Sequence, residues 1–106
     1  MDDLWSRIVQ ALSDKKGRDI VALDVQGHSP ITDCIIICTG TSDRQIGAMA
    51  EHVMEVIGKP LGKEGLEEGR WVLLDYVDAV VHIFQDDLRH YYDLERMWLD
   101  AKRLKV

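Results

Sequence analysis

Four aspartates, one turn and a set of histidines are the residues of this 106-residue chain that could carry chemistry. Asp24, Asp33, Asp75 and Asp78 are carboxylates of the kind that hold a divalent metal in phosphoryl transfer. Gly40-Thr41-Ser42, between an apolar run and a helical pattern, could present backbone amides to a phosphate. The full glycine patterns of dinucleotide and triphosphate loops are missing, however. Ser42 followed by Gln45 makes a capping box, which accounts for the turn structurally. Asp75 and Asp78 flank a tight turn, where aspartate bonds its own backbone, and Asp24 ends its run just before Gly27. No nucleophile with a matched base is visible, and nothing in the spacing makes the carboxylates converge.

The histidines are His28, His52, His82 and His90. None is spaced with another His or Cys as a metal pair, and there is no CxxC, so neither metal nor cofactor is expected. His82 interrupts the apolar run Ala79-Val80-Val81-His82-Ile83-Phe84. It is read as a hydrogen-bonded, partly buried imidazole, with a place in an interface as the next choice. The cysteines, Cys34 and Cys38, lie in one strand-like run with α-carbons roughly 13 Å apart. A disulfide needs less than about 7 Å, so they are read as small buried hydrophobes.

Charge is more informative than any single residue. The net charge is −6. From Glu64 to Glu95 there are nine acidic residues against Arg70 and Arg89, or −7; the remainder holds ten acidic and eleven basic residues, or +1. The acidic part repels phosphate backbones, so little direct RNA contact is expected there. It would steer toward a basic partner. No apolar run exceeds about five residues, far short of the roughly 20 that span a bilayer. No signal-peptide pattern opens the chain, so a cytoplasmic protein with no membrane partner is expected.

The elements that must position these residues are legible in outline. Leu4, Trp5, Ile8, Val9 and Leu12 share a face of a first helix, capped by Asp2 or Asp3 and ended near Gly17. Ile20–Val25 and Cys34–Thr39 read as strands covered on both faces. Ile46, Met49, Ala50, Val53, Met54 and Ile57 define a second helix, stopped by Gly58 and Pro60. Residues 58–69 read as a loop with a short edge strand near Leu61. Trp71–Tyr76 and Ala79–Phe84 form a hairpin around Val77-Asp78. Asp86 or Asp87 caps a last helix to about Leu99, and the basic tail is expected to fray. The fold class is α/β: one domain over 1–106, a mixed sheet flanked by helices.

The last helix holds more large apolar residues than one buried face takes. Tyr91, Tyr92 and Trp98, interleaved with Asp93 and Glu95, have the composition of interface anchors.

Three stretches in register identify a family. Asp19–Val25 leads into Ile31-Thr32-Asp33 and then Gly40-Thr41-Ser42-Asp43-Arg44-Gln45. Glu64-Gly65 leads into Trp71–Tyr76 and Asp78–Phe84. Arg89 is followed by Tyr92-Asp93-Leu94-Glu95-Arg96-Met97-Trp98. In that order and spacing, over about residues 17–100, the chain resembles the ribosomal silencing factor (Iojap-related) family. The resemblance implies a nucleotidyltransferase-like fold without the paired catalytic carboxylates; here Asp43 stands alone after the Gly40–Ser42 turn. It also implies a non-enzymatic repressor that binds the large ribosomal subunit through ribosomal protein L-fourteen and sterically blocks small-subunit joining. Two departures are Pro30, where a small polar residue is expected, and Val77, where the family has a glycine.

Combining residues and resemblance, the expected partner-binding residues are Trp71, Leu74, Asp75, Tyr76, Asp78, Tyr92, Glu95 and Trp98. Strand alternation separates Trp71, Leu73 and Asp75 from Val72, Leu74 and Tyr76, so they cannot all meet one flat partner. Asp33, Arg44 and His82 are expected to support the site. Arg44, at a helix start where the dipole disfavours a cation, is expected to pair with a carboxylate, Asp33 being the candidate. A homodimer is compatible with this reading. The alternatives from other classes are a metal-dependent nucleotidyltransferase and an acidic protein–protein adaptor.

Overall fold

A computed structural model describes residues 3–106, except for the side chains of His90, Tyr91, Tyr92 and Leu94. Helix α1 (Leu4–Asp14) precedes strands β1 (Arg18–Asp24) and β2 (Cys34–Gly40), followed by α2 (Asp43–Ile57). Then come β3 (Gly62–Glu64), β4 (Trp71–Asp75), β5 (Ala79–Gln85), α3 (Asp86–Tyr92), a 3-10 turn (Leu94–Trp98) and β6 (Lys102–Leu104). The six strands form one mixed sheet in the order β3-β4-β5-β2-β1-β6. The central pair β2–β5 is parallel; β1–β2, β1–β6, β3–β4 and β4–β5 are antiparallel.

The two central strands explain the continuous apolar runs. Every residue of β2 is buried, because both faces of a central strand are covered. On one face, Val72, Leu74, Ala79, Val81, Ile83, Ile36 and Cys38 pack against Ile8, Leu12, Ile46, Met49 and Val53 of α1 and α2. On the other, Leu23, Val25, Ile35, Ile37 and Phe84 form a second, smaller core. Leu88, Trp98 and Ala101 cover only part of that core. One face of the sheet is therefore closed by helices and the other is half open.

The forward half of the capping box forms, Ser42 Oγ accepting the Gln45 N–H at 3.1 Å, while Gln45 Oε1 accepts the N–H of Thr41, one residue before the cap, at 2.7 Å. The Gln45 amide also donates to the Lys15 and Lys16 carbonyls, tying the end of α1 to the start of α2.

Three expectations are corrected. The C-terminal helix does not run to Leu99. It ends at Tyr92, where Asp93 takes a left-handed conformation (φ 45°), and the chain continues as the 3-10 turn. Neither Asp86 nor Asp87 is its N-cap: Gln85 holds that position without a side-chain cap bond. The basic tail is not frayed, because Lys102–Leu104 pairs with Ala22–Asp24 as the edge strand β6. A local pattern cannot reveal that pairing, since its partner lies about eighty residues upstream.

Candidate functional site

The half-open face is built by period-two alternation on β4 and β5. Trp71, Leu73 and Asp75 alternate with the fully buried Val72 and Leu74, while Val80 and His82 alternate with Ala79, Val81 and Ile83. Register places Leu73 opposite His82 and Asp75 opposite Val80, with Ile37 and Ile35 beyond them on β2. The loop before β2 brings in Ser29, Ile31 and Thr32; β3 brings in Glu64; the 3-10 turn brings in Trp98. Together they line a hollow of about 350 Å³, apolar at its floor and with Glu64 and Asp75 among its walls. Ile31, 76% exposed, stands on its rim.

Trp71 is fixed at one side of this face. Its ring stacks on Phe84 at 4.8 Å between centroids, and its Nε1–H donates to His82 Nδ1 at 3.1 Å. The backbone before it is tightly constrained. Gly65 has φ 81°, and a Cβ there would run into the Trp71 carbonyl. Burial holds His82 down at about 4, so the imidazole is neutral at neutral pH.

The expected partner residues separate into groups. Trp71, Asp75 and Trp98 lie on the half-open face. Leu74 does not: it is 0% exposed, in the core beneath the helices, because it alternates with Leu73. Tyr76 packs on that same helix side, and its hydroxyl donates to the Gly58 carbonyl at 2.7 Å; burial raises its pKa. Glu95 is engaged inside the chain, by Arg89 at 3.0 Å and Arg103 at 3.2 Å. Asp78 is exposed at the end of the sheet, beside Asp3, Asp24 and Asp33 rather than in the hollow. The Tyr92 side chain is outside the described residues. Leu73, Val80, Ile31 and Glu64, absent from the expected set, also line this hollow, and the alternation that puts Leu73 beside Trp71 and Asp75 is a signal for the first of them.

Arg44 does not meet Asp33. Among the described residues neither makes an ion pair, and they sit at opposite ends of β2, Asp33 before its start and Arg44 past its end. The same geometry bears on the transferase alternative. Asp24 is paired with Cys34 at the start of β2, and Asp75 and Asp78 lie at that end too. The Gly40–Ser42 turn is at the other end, roughly 20 Å away along the strand. There the Thr41, Gln45 and Arg44 amides donate to the side chains of Gln45, Ser42 and Asp43. Among the described residues no group of three or more His, Cys, Asp or Glu is placed to hold a metal ion, and no helix is long and apolar enough to cross a membrane.

A mixed sheet closed by two helices on one face and half open on the other, with Trp71, Trp98, Asp75 and Glu64 on the open side, defines a small α/β domain. Residues 1–106 match the family model described as ribosomal silencing factor during starvation, and the chain belongs to that family. It is 45% identical over 95 residues to the ribosomal silencing factor RsfS of Bacillus subtilis, covering 86% of this chain and 80% of that one. It is 30% identical over 102 residues to the chloroplastic protein Iojap of Arabidopsis thaliana, covering 93% of this chain and 43% of that one. A crystal structure from Chromobacterium violaceum superposes with a TM-score of 0.87 at 37% identity, covering 90% of this chain and 82% of that one.

Proposed function

We propose that this chain is a non-enzymatic translational repressor of the cytoplasm. It docks on the large ribosomal subunit through the basic ribosomal protein L-fourteen and sterically blocks the small subunit from joining. The observation that carries this reading is the half-open sheet face. It presents Trp71, Leu73, Val80 and Trp98 with Glu64 and Asp75 close by. An aromatic and aliphatic centre with a charged rim is the anatomy of a protein-docking surface. The −7 charge of residues 64–95 favours a basic protein over RNA, because carboxylates attract Lys and Arg and repel phosphate. Membership of the ribosomal silencing factor family supports the ribosome as the target. A mouse relative, 29% identical, carries the name mitochondrial assembly of ribosomal large subunit protein 1.

Docking is confined to the open face in this reading. Trp71, Leu73 and Val80 supply buried area, and Asp75 and Glu64 meet cations of the partner. Asp78 extends the acidic rim around the end of the sheet. No bond is made or broken; repression follows from occupied space. The test is co-sedimentation of purified protein with isolated large subunits, followed by light scattering as small subunits are added. Association is expected to be suppressed in proportion to the large subunits occupied. Unchanged association at saturating protein sinks the proposal.

A further inference from the structure

We infer that His82 is a positioning residue of the docking face: its neutral imidazole accepts the Trp71 indole N–H and so sets the orientation in which that ring meets the partner. This rests on the docking reading above and adds a residue that acts through another. An indole N–H can only donate, so His82 Nδ1, 3.1 Å away, must be unprotonated, and the imidazole proton sits on Nε2. The bond joins neighbouring strands. Trp71 is opposite Phe84 and Leu73 is opposite His82, so the contact runs diagonally across the β4–β5 pair. Phe84 completes the arrangement: its ring stacks on Trp71 at 4.8 Å and lies 6.0 Å from the His82 ring, nearly parallel at 10°. Phe84 therefore supports the indole from below, and His82 fixes its rotation about χ2.

Burial keeps the acceptor neutral, although carboxylates nearby favour the imidazolium. The charged groups lining the hollow with His82 are Glu64 of β3 and Asp75 of β4. Ile37 of β2 is its apolar neighbour in register, and the 3-10 turn contributes Trp98 to the same hollow. Burial depresses the imidazole pKa to about 4, consistent with a group that only accepts on this side at neutral pH.

The test uses the full chain. His82→Leu removes the acceptor at nearly constant volume, and His82→Asn returns a carbonyl oxygen near the Nδ1 position. Binding to isolated large subunits is expected to weaken about tenfold in His82→Leu and to stay within about threefold of wild type in His82→Asn. In a Trp71→Phe background, which has no indole donor, His82→Leu is expected to have no further effect. The indole ¹H–¹⁵N resonance of Trp71, identified by its loss in Trp71→Phe, is expected to move upfield in His82→Leu and to return in His82→Asn. Should His82→Leu not fold, His82→Gln, whose carbonyl lies beyond the Nδ1 position, replaces it. Equal weakening in wild-type and Trp71→Phe backgrounds overturns the proposal, as does an unmoved indole resonance in His82→Leu. If wild-type protein does not bind large subunits, the docking reading fails instead, and the resonance alone decides whether His82 orients Trp71.

Discussion

Arg89 and Glu95 close the left-handed turn at Asp93: Nε and Nη2 of the guanidinium each lie 3.0 Å from the same carboxylate oxygen, Oε1. The pair is mostly shielded, with side-chain exposures of 13% and 23%, so solvent does not screen it as it would a surface pair. Arg89 also donates to Thr39 Oγ1 at 2.8 Å and to the Asp19 carbonyl at 2.6 Å, and Arg103 reaches the other Glu95 oxygen. Two carboxylate oxygens thus join α3, the 3-10 turn, β6 and, through Arg89, the sheet.

Glu95→Ala should therefore act on stability. It leaves a largely buried guanidinium without its carboxylate and loosens β6 from the segment before it. The expected loss is about 2 kcal/mol, below the range for a fully buried pair. Chemical denaturation measures it. A loss within about 0.5 kcal/mol, the ordinary effect of a surface change, would show that the network is ornamental to the fold.

Val77 sits at φ 71° in the β4–β5 turn, a conformation that β-branched residues rarely adopt. Asp75 Oδ1 holds the turn by accepting the Val77 N–H at 2.8 Å. Val77→Gly should relieve the strain and raise stability by about 1 kcal/mol after the added unfolded-state entropy of glycine. That corresponds to about 4–8 °C in Tm for a domain near this size. A lowered Tm would mean that the exposed valine side chain contributes more than the backbone strain costs.

Trp71→Ala and Leu74→Ala form a contrasting pair. Trp71 is half-buried on the open face, so its truncation should cost affinity for large subunits by about thirtyfold, near 2 kcal/mol, while the fold persists. Leu74 is wholly buried, so its truncation should cost about 2–5 kcal/mol of stability and leave the affinity of the folded molecules unchanged. Reversed effects in binding and unfolding experiments would move the docking surface to the other side of β4.

His82 predicts a pH dependence of folding. Its pKa is lowered from 6.5 to about 4 by burial, so the unfolded chain binds the proton first as pH falls. The native state is favoured fully above about pH 6.5, loses stability between 6.5 and 4, and loses no more through this group below that. The wild type should lose about 3 kcal/mol over that window relative to His82→Leu. Comparing the two proteins cancels the carboxylates that titrate nearby. Parallel stability curves would show that His82 is freely protonated in the native state.

The sequence alone determined the elements whose signals are local. The α2 capping box, its 3.6-residue apolar spacing, the β4–β5 hairpin and the buried central strand β2 all follow from neighbours within a few residues. The three motifs in register identified the family for the same reason, since they are linear. What only the tertiary structure decided was which side each half-buried residue faces and what lies there. Alternation sets Leu74 and Tyr76 on the opposite face from Trp71, but only the packing of α1 and α2 decides that theirs is the covered side. Glu95 looked free to meet a partner, but Arg89 and Arg103 arrive from other elements to occupy it. The tail looked loose until β1 supplied its hydrogen bonds. Period-two alternation says that the faces of a strand differ; only packing across distant segments says which face remains open to a partner.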